Sequence, residues 1–136
     1  RQNINYIFGA VSISNQYSNQ SKSLIINMLS RHFKDPQIAR HVKPKNSFEM
    51  KCPKWSDSLL AYYDEKDFRQ YDFLVRDLEN NARGIPVLIK KYLSLNALYA
   101  GCSVDPSFNN CLDALMFINI DALIKNPLFK MTTQVQ

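Results

Sequence analysis

Between Gly84 and Leu123 apolar positions recur at helical spacing as far as Leu95 and at every second residue from Leu98 onward. Before the switch, Pro86 suits the first turn of a helix, where its missing N–H costs nothing. Val87, Leu88 and Leu95, with Ile89 and Tyr92 between them, supply an apolar stripe. Asn96 predicts the helix end, because Asn tolerates the left-handed conformation found there. Beyond it Leu98, Ala100, Cys102 and Val104 alternate with Tyr99, Gly101 and Ser103. Asp105-Pro106-Ser107 is turn chemistry. Leu112, Ala114, Met116, Ile118 and Ile120 then alternate with Asp113, Leu115, Phe117 and Asn119. A hairpin folded about Phe108 sets Val104 opposite Leu112 and Cys102 opposite Ala114. One face is then apolar, and the other carries Tyr99, Ser103, Asp113 and Asn119. A one-residue slip would drop Asp113 among the apolar set, so the pattern specifies its own register.

Upstream, Tyr6 to Ser14 reads as a strand, with Tyr6, Phe8, Ala10 and Ser12 on one side and Ile7, Gly9, Val11 and Ile13 on the other. Apolar residues on both faces predict an interior strand covered on two sides. Ser18 or Ser21 caps a helix whose buried face is Leu24, Ile25, Met28, Leu29, His32 and Phe33, and Asp35-Pro36 stops it. His32, in the last turn, reads as a satisfied or dipole-facing residue rather than a catalytic one. Residues 37–55 show no period and predict a long irregular connection that could shape a groove. A short helix with Leu59, Leu60 and Tyr63 follows, then one from Lys66 to Asn80 with the stripe Phe68, Tyr71, Val75 and Leu78, and Leu74 beside it. The carboxylates from Asp64 to Glu79 interleave with Lys66, Arg69 and Arg76, as on a solvated helix surface.

At 136 residues the chain is one domain or part of one. It opens on Arg1 and enters a strand almost at once, which predicts that residues 1–136 form a single domain cut from something longer. No apolar run is long enough to cross a bilayer. A Gly-rich phosphate loop, HExxH and GxSxG are all missing. Cys52, Cys102 and Cys111 form no close pair, so no metal site is expected and a reduced, cytoplasmic setting is. The net charge of +5 is concentrated between Arg31 and Lys54. A solvated loop accounts for it, with attraction to substrate or to the anionic inner face of a membrane as the alternative.

The run Gly84-Ile85-Pro86, Lys90, Tyr92-Leu93, Gly101, Asp105-Pro106, Phe108-Asn109 and Asp113 resembles the C-terminal part of a bacterial family. These are GNAT-fold N-acyltransferases of the ornithine-lipid and glycine-lipid synthase type, also carried under a hemolysin label. Phe8-Gly9-Ala10-Val11-Ser12-Ile13-Ser14-Asn15 resembles the strand that follows the family's acyl-carrier-binding loop. The resemblance implies an α+β fold, a mixed sheet flanked by helices, with the upstream half of the catalytic unit lying outside the chain. It implies transfer of a fatty acyl group from acyl carrier protein or coenzyme A to a small amino acid in aminolipid synthesis. The acyl thioester is then a co-substrate and no bound cofactor is expected. Such transfer needs a neutral amine, an oxyanion donor and a route to reprotonate the thiolate.

Asp113 is the first candidate, because an unpaired carboxylate in an apolar run costs several kcal/mol and needs a partner or a task. A structural ion pair with Lys90 is the competing account. Ser12, Ser14 and Asn15 cluster where a strand meets a helix N-terminus, as ligand contacts or as simple caps. Tyr92 is a candidate thiol-protonating acid or a core residue, and Lys90, Tyr99 and Ser103 complete the candidate binding set. The rival function is a non-catalytic module using the basic segment at a membrane surface or on nucleic acid. No nucleic acid is expected for the enzyme. An uncovered sheet edge predicts a homodimer or swapped assembly.

Overall fold

In the computed structural model, residues 5–52, 54, 56–62 and 67–134 are described. The order is β1 (Tyr6–Ile13), α1 (Asn19–His32), α2 (Pro36–Ala39), α3 (Ser56–Leu60), α4 (Phe68–Leu78), α5 (Val87–Ser94), β2 (Leu98–Asp105), β3 (Cys111–Asn119), α6 (Ile120–Lys125) and α7 (Pro127–Gln134). The fold is α+β, and the strands form one sheet in the order β1-β3-β2. Both strand pairings are antiparallel, so the sheet is antiparallel where a mixed one was expected, and an isolated parallel bridge outside the strands joins Lys34 to Tyr99. A three-stranded sheet flanked by helices is consistent with part of a GNAT-like arrangement.

The hairpin closes as its alternation predicts. Asp105 takes the Ser107 N–H on its side chain at 2.9 Å, and a 3-10 turn over Pro106–Phe108 follows. Asn109 and Asn110, both left-handed, complete the reversal. Val104 lies opposite Leu112 and Cys102 opposite Ala114. Ser18 caps α1 by accepting the Ser21 N–H at 3.1 Å, and Leu24, Ile25, Met28 and Leu29 are buried against the sheet. Tyr71 and Val75 of α4 complete this layer, with Phe68, Leu74 and Leu78 packed at its margin. His32 and the Tyr71 hydroxyl share a 2.6 Å hydrogen bond, so the histidine is satisfied structurally.

Several expectations are corrected. β1 is an edge strand, not an interior one: Val11 and Ile13 are buried, but Tyr6, Ile7 and Phe8 are 41%, 50% and 53% exposed. The buried row of α5 is Ile89 and Leu93, with Ile85 buried just ahead of the helix, while Val87 and Leu88 face outward. Ile89 and Leu93 stand at i, i+4, and two residues from Ile89 is about 200° around the helix, which carries Val87 to the far side. Asp35 does stop α1, yet it also caps the short α2 inside the segment read as irregular, by accepting the Gln37 N–H at 2.9 Å. Tyr63, Asp64, Glu65 and Lys66, and the side chain of Leu59, lie outside the described residues. α4 is capped by Asp67 and begins at Phe68.

The two sheet edges differ. Along β2, Tyr99 N–H donates to the Phe33 carbonyl at 2.8 Å and Val104 N–H to the Asn46 carbonyl at 2.9 Å. Along β1, no strand of the described residues lies on the side away from β3.

Candidate functional site

Ser12, Asp113 and Ser103 stand side by side across β1, β3 and β2, because Ser12 pairs with Asp113 and Ser103 pairs with Asp113. All three project from the face opposite the α1 layer, since their neighbours Val11, Ile13, Leu112 and Ala114 are buried on the other. The same face continues through Ala10, Leu115 and Gly101 to an aromatic end. There the Phe117 ring is covered by Tyr6 and Phe8, at centroid distances of 5.9 and 5.6 Å.

Asp113 sits where open hollows of about 450, 470 and 220 Å³ meet, and it lines all of them. Its Oδ1 accepts the Ser12 hydroxyl at 2.7 Å and the Cys111 thiol at 3.5 Å. Its Oδ2 has no hydrogen-bond partner, and no cation pairs with the carboxylate, among the described residues. The competing account, an ion pair with Lys90, is therefore set aside: the Lys90 ammonium lies 3.4 Å from Asp72. Asp72 also takes the Ile85 N–H at 2.8 Å, which anchors the start of α5.

Tyr99 is a correction. Ala100 is an extra residue between the Tyr99–Met116 and Gly101–Leu115 pairs, so the alternation shifts by one and Tyr99 turns into the core at 3% exposure. Burial, and then the Cys102 thiol, push its phenol well above the ordinary range, against a hydrogen bond with Ser30. It takes no part in the outer face. Tyr92 is also remote from Asp113. Its hydroxyl lies 3.4 Å from the place where a Cβ on Gly9 would stand, and Gly9 pairs with buried Met116 on the covered face. Asn119, expected on the same face as Asp113, pairs with Tyr6 at the far end of β3 and caps α6 by accepting the Ala122 N–H at 3.2 Å.

Ser14 and Asn15 line the 450 Å³ hollow with Ser12 and Asp113. Each has a local bond: Ser14 Oγ accepts the Gln16 N–H at 3.1 Å, and Asn15 Oδ1 accepts the Lys22 ammonium at 2.7 Å. Ser103 Oγ accepts the Asn46 N–H at 3.1 Å and donates to the Asn46 carbonyl at 3.2 Å, fixing a strap against the site. Asp105 and Cys111 also line the hollow and were not singled out from the sequence. Their signal was the two-residue period: Cys111 precedes Asp113 on the same face, and Asp105 pairs with Cys111. Burial, assisted by the Asp113 and Asp105 carboxylates, raises the Cys111 thiol above its ordinary value, against a hydrogen bond from Ser12. The shift favours the thiol over the thiolate, which suits its role as a weak donor to Asp113.

The cluster thus offers a carboxylate with a free oxygen, flanked by hydroxyl and thiol donors, in open hollows. It can hold a cation or take a proton. Among the described residues no group of three or more His, Cys, Asp or Glu side chains could hold a metal ion, and no helix is long and apolar enough to cross a membrane.

No family model and no solved structure matches the chain. It is similar to a glycine N(alpha)-acyltransferase of Phocaeicola vulgatus, 24% identical over 130 residues. The match covers 93% of this chain and 38% of that protein.

Proposed function

We propose that this chain is the C-terminal part of an N-acyltransferase that moves a fatty acyl group from an acyl thioester to the amine of a small amino acid. The similarity to a glycine N(alpha)-acyltransferase supports the reaction class, and the 38% share of that relative supports the partial unit. The observation that carries the reading within the site is Asp113, with an unpaired oxygen at the junction of the hollows. A carboxylate so placed attracts an ammonium group and takes the proton that must leave before nitrogen attacks the thioester carbonyl. The C–N bond forms, the C–S bond breaks, and the departing thiolate takes the proton that the new amide nitrogen gives up. Ser12 holds its orientation. The donor would be acyl carrier protein or acyl-coenzyme A, and its extended pantetheine arm would pair with the β1 edge, beside which no further strand of the described residues lies. Aminolipid synthesis at the inner face of a membrane would follow. The same edge is where a homodimer would pair, and light scattering showing only monomer at high concentration counts against that assembly.

The test is formation of N-acyl product from an acyl thioester and glycine by the complete parent protein, wild type against Asp113→Asn. Loss of about 10²-fold in single-turnover rate with an unchanged melting midpoint is expected, the size of one general base. Equal rates in the two proteins, or no product from wild type, would overturn the proposal.

A further inference from the structure

Residues 42–46, a strap that follows α2, cross the outer face where Ala10 and Gly101 leave room on either side of Leu115. Ala10 and Gly101 leave a depression of about 220 Å³, roofed by Val42 and Pro44 and reaching Asp113. The strap is fixed at both ends. Val42 Cγ1 would lie 3.3 Å from a Cβ on Gly101, so the absence of that atom is what lets the strap lie down. At the other end Asn46 is tied to Val104 through its carbonyl at 2.9 Å and its side-chain amide at 3.1 Å, and to the Ser103 hydroxyl at 3.1 Å.

This leaves Lys45 between two immobilised points. It is exposed, it makes no ion pair among the described residues, and it lines both the 220 and the 470 Å³ hollows together with Asp113. Its neighbour Asn46 is bonded to Ser103, and Ser103 pairs directly with Asp113. A cation and an anion therefore face the same space without having neutralised each other. Lys43 lines only the smaller hollow and is less well placed.

We propose that Lys45 and Asp113 form a subsite for a zwitterion. Asp113 holds the ammonium group and Lys45 the carboxylate of one small molecule, which selects amino acids over simple amines. The use of this subsite rests on the acyl-transfer reading, but its occupancy is a matter of charge geometry and is measured without turnover. Lys45 then determines specificity. Asp113 performs the proton transfer.

The test is an NMR titration of the complete parent protein with glycine, with glycinamide, which keeps the ammonium and lacks the carboxylate, and with acetate. Glycine should shift the amide resonances of Ser103, Asp113 and the strap, with about tenfold higher affinity than glycinamide or acetate, equivalent to about 1.4 kcal/mol. Lys45→Gln should bring glycine down to the level of glycinamide, and Asp113→Asn should weaken both. Equal binding of glycine and glycinamide, a preference that survives Lys45→Gln, or no shifts with glycine would each overturn the proposal. Charge-selective binding without N-acyl product in the parent protein would uphold the subsite and sink the acyl-transfer reading. Product that forms equally well from glycine and glycinamide would do the reverse.

Discussion

The two faces of the sheet are made by alternate residues of the same strands and follow opposite rules. On the covered face Leu112, Ala114 and Met116 of β3 are each at most 1% exposed, and Val11, Ile13 and Tyr99 flank them. On the other face Asp113 keeps a free carboxylate oxygen one residue from Leu112 and one from Ala114. The covered face is held by area removed from water, which is indifferent to detail so long as volume is conserved. Around Asp113 the outer face is held by a few contacts: hydrogen bonds of Ser12 to Asp113 and of Ser103 with Asn46, and the packing of Val42 over Gly101. Its apolar burial is at the aromatic end. Stability is concentrated on one side and chemistry is free to occupy the other.

The largest effect should come from adjacent substitutions that separate the faces. Leu112→Ala removes a fully buried side chain and should cost about 3 kcal/mol in urea denaturation. Asp113→Asn, its neighbour, keeps its shape and can still accept the Ser12 hydroxyl, so its cost should stay within about 0.5 kcal/mol. Should both cost the same, the carboxylate is a structural element and the division between the faces fails.

The covered face was legible in the sequence because a period of two over β3 admits one register without burying Asp113. The cap at Ser18 and the left-handed Asn96 were legible for the same local reason, since each acts within its own turn, whereas Asp35 was readable as the stop of α1 and not as the cap of α2. Tyr99 was not. A bulge at Ala100 inverts the alternation, and nothing in the local pattern announces an inserted residue. The Lys90 partner was hidden too, because Asp72 reaches it only through the packing of α4 beside the start of α5. Around Asp113, Ser12 and Ser103 were readable as strand residues of matching phase. Lys45 was not, because its place depends on a strap that crosses the sheet without any period of its own. The similarity to an acyltransferase supports a reaction class, while the pairing of charges comes from the fold alone.

An intermediate effect should come from Gly101, where the two faces meet through the bulge. Its φ of +152° is rarely adopted by residues with a side chain, and a Cβ there would press on Val42. Gly101→Ala should cost about 2 kcal/mol, the scale of a strained backbone position. It should also broaden or shift the amide resonances of residues 42–46 while those of α1 stay in place. Equal disturbance of α1 and the strap would mean that the outer face is not separately supported.

The smallest effect lies at the rim of the covered layer, where α1 meets the end of α4. Glu79 Oε1 accepts the Ser18 N–H at 2.7 Å, at the N-terminus of α1, where a negative charge is favoured. Burial pushes this carboxyl up, but the Ser18 N–H and the Ser18 and Ser21 hydroxyls, with the Arg83 charge, together outweigh it and hold the group below its ordinary value. A depressed folded value means that the ionised form is bound more tightly in the native state. The stabilisation is therefore complete above the ordinary value of 4.5 and is lost as pH falls through the lower folded value. Glu79→Gln still accepts the N–H but lacks the charge, so at pH 7 it should cost about 1 kcal/mol. Thermal melts of the two proteins from pH 7 down to pH 3 should converge as the wild-type carboxyl protonates. A gap that persists unchanged at low pH would show that Glu79 acts by shape rather than charge. The covered face would then depend at its rim on directional bonding of the kind assigned to the outer face.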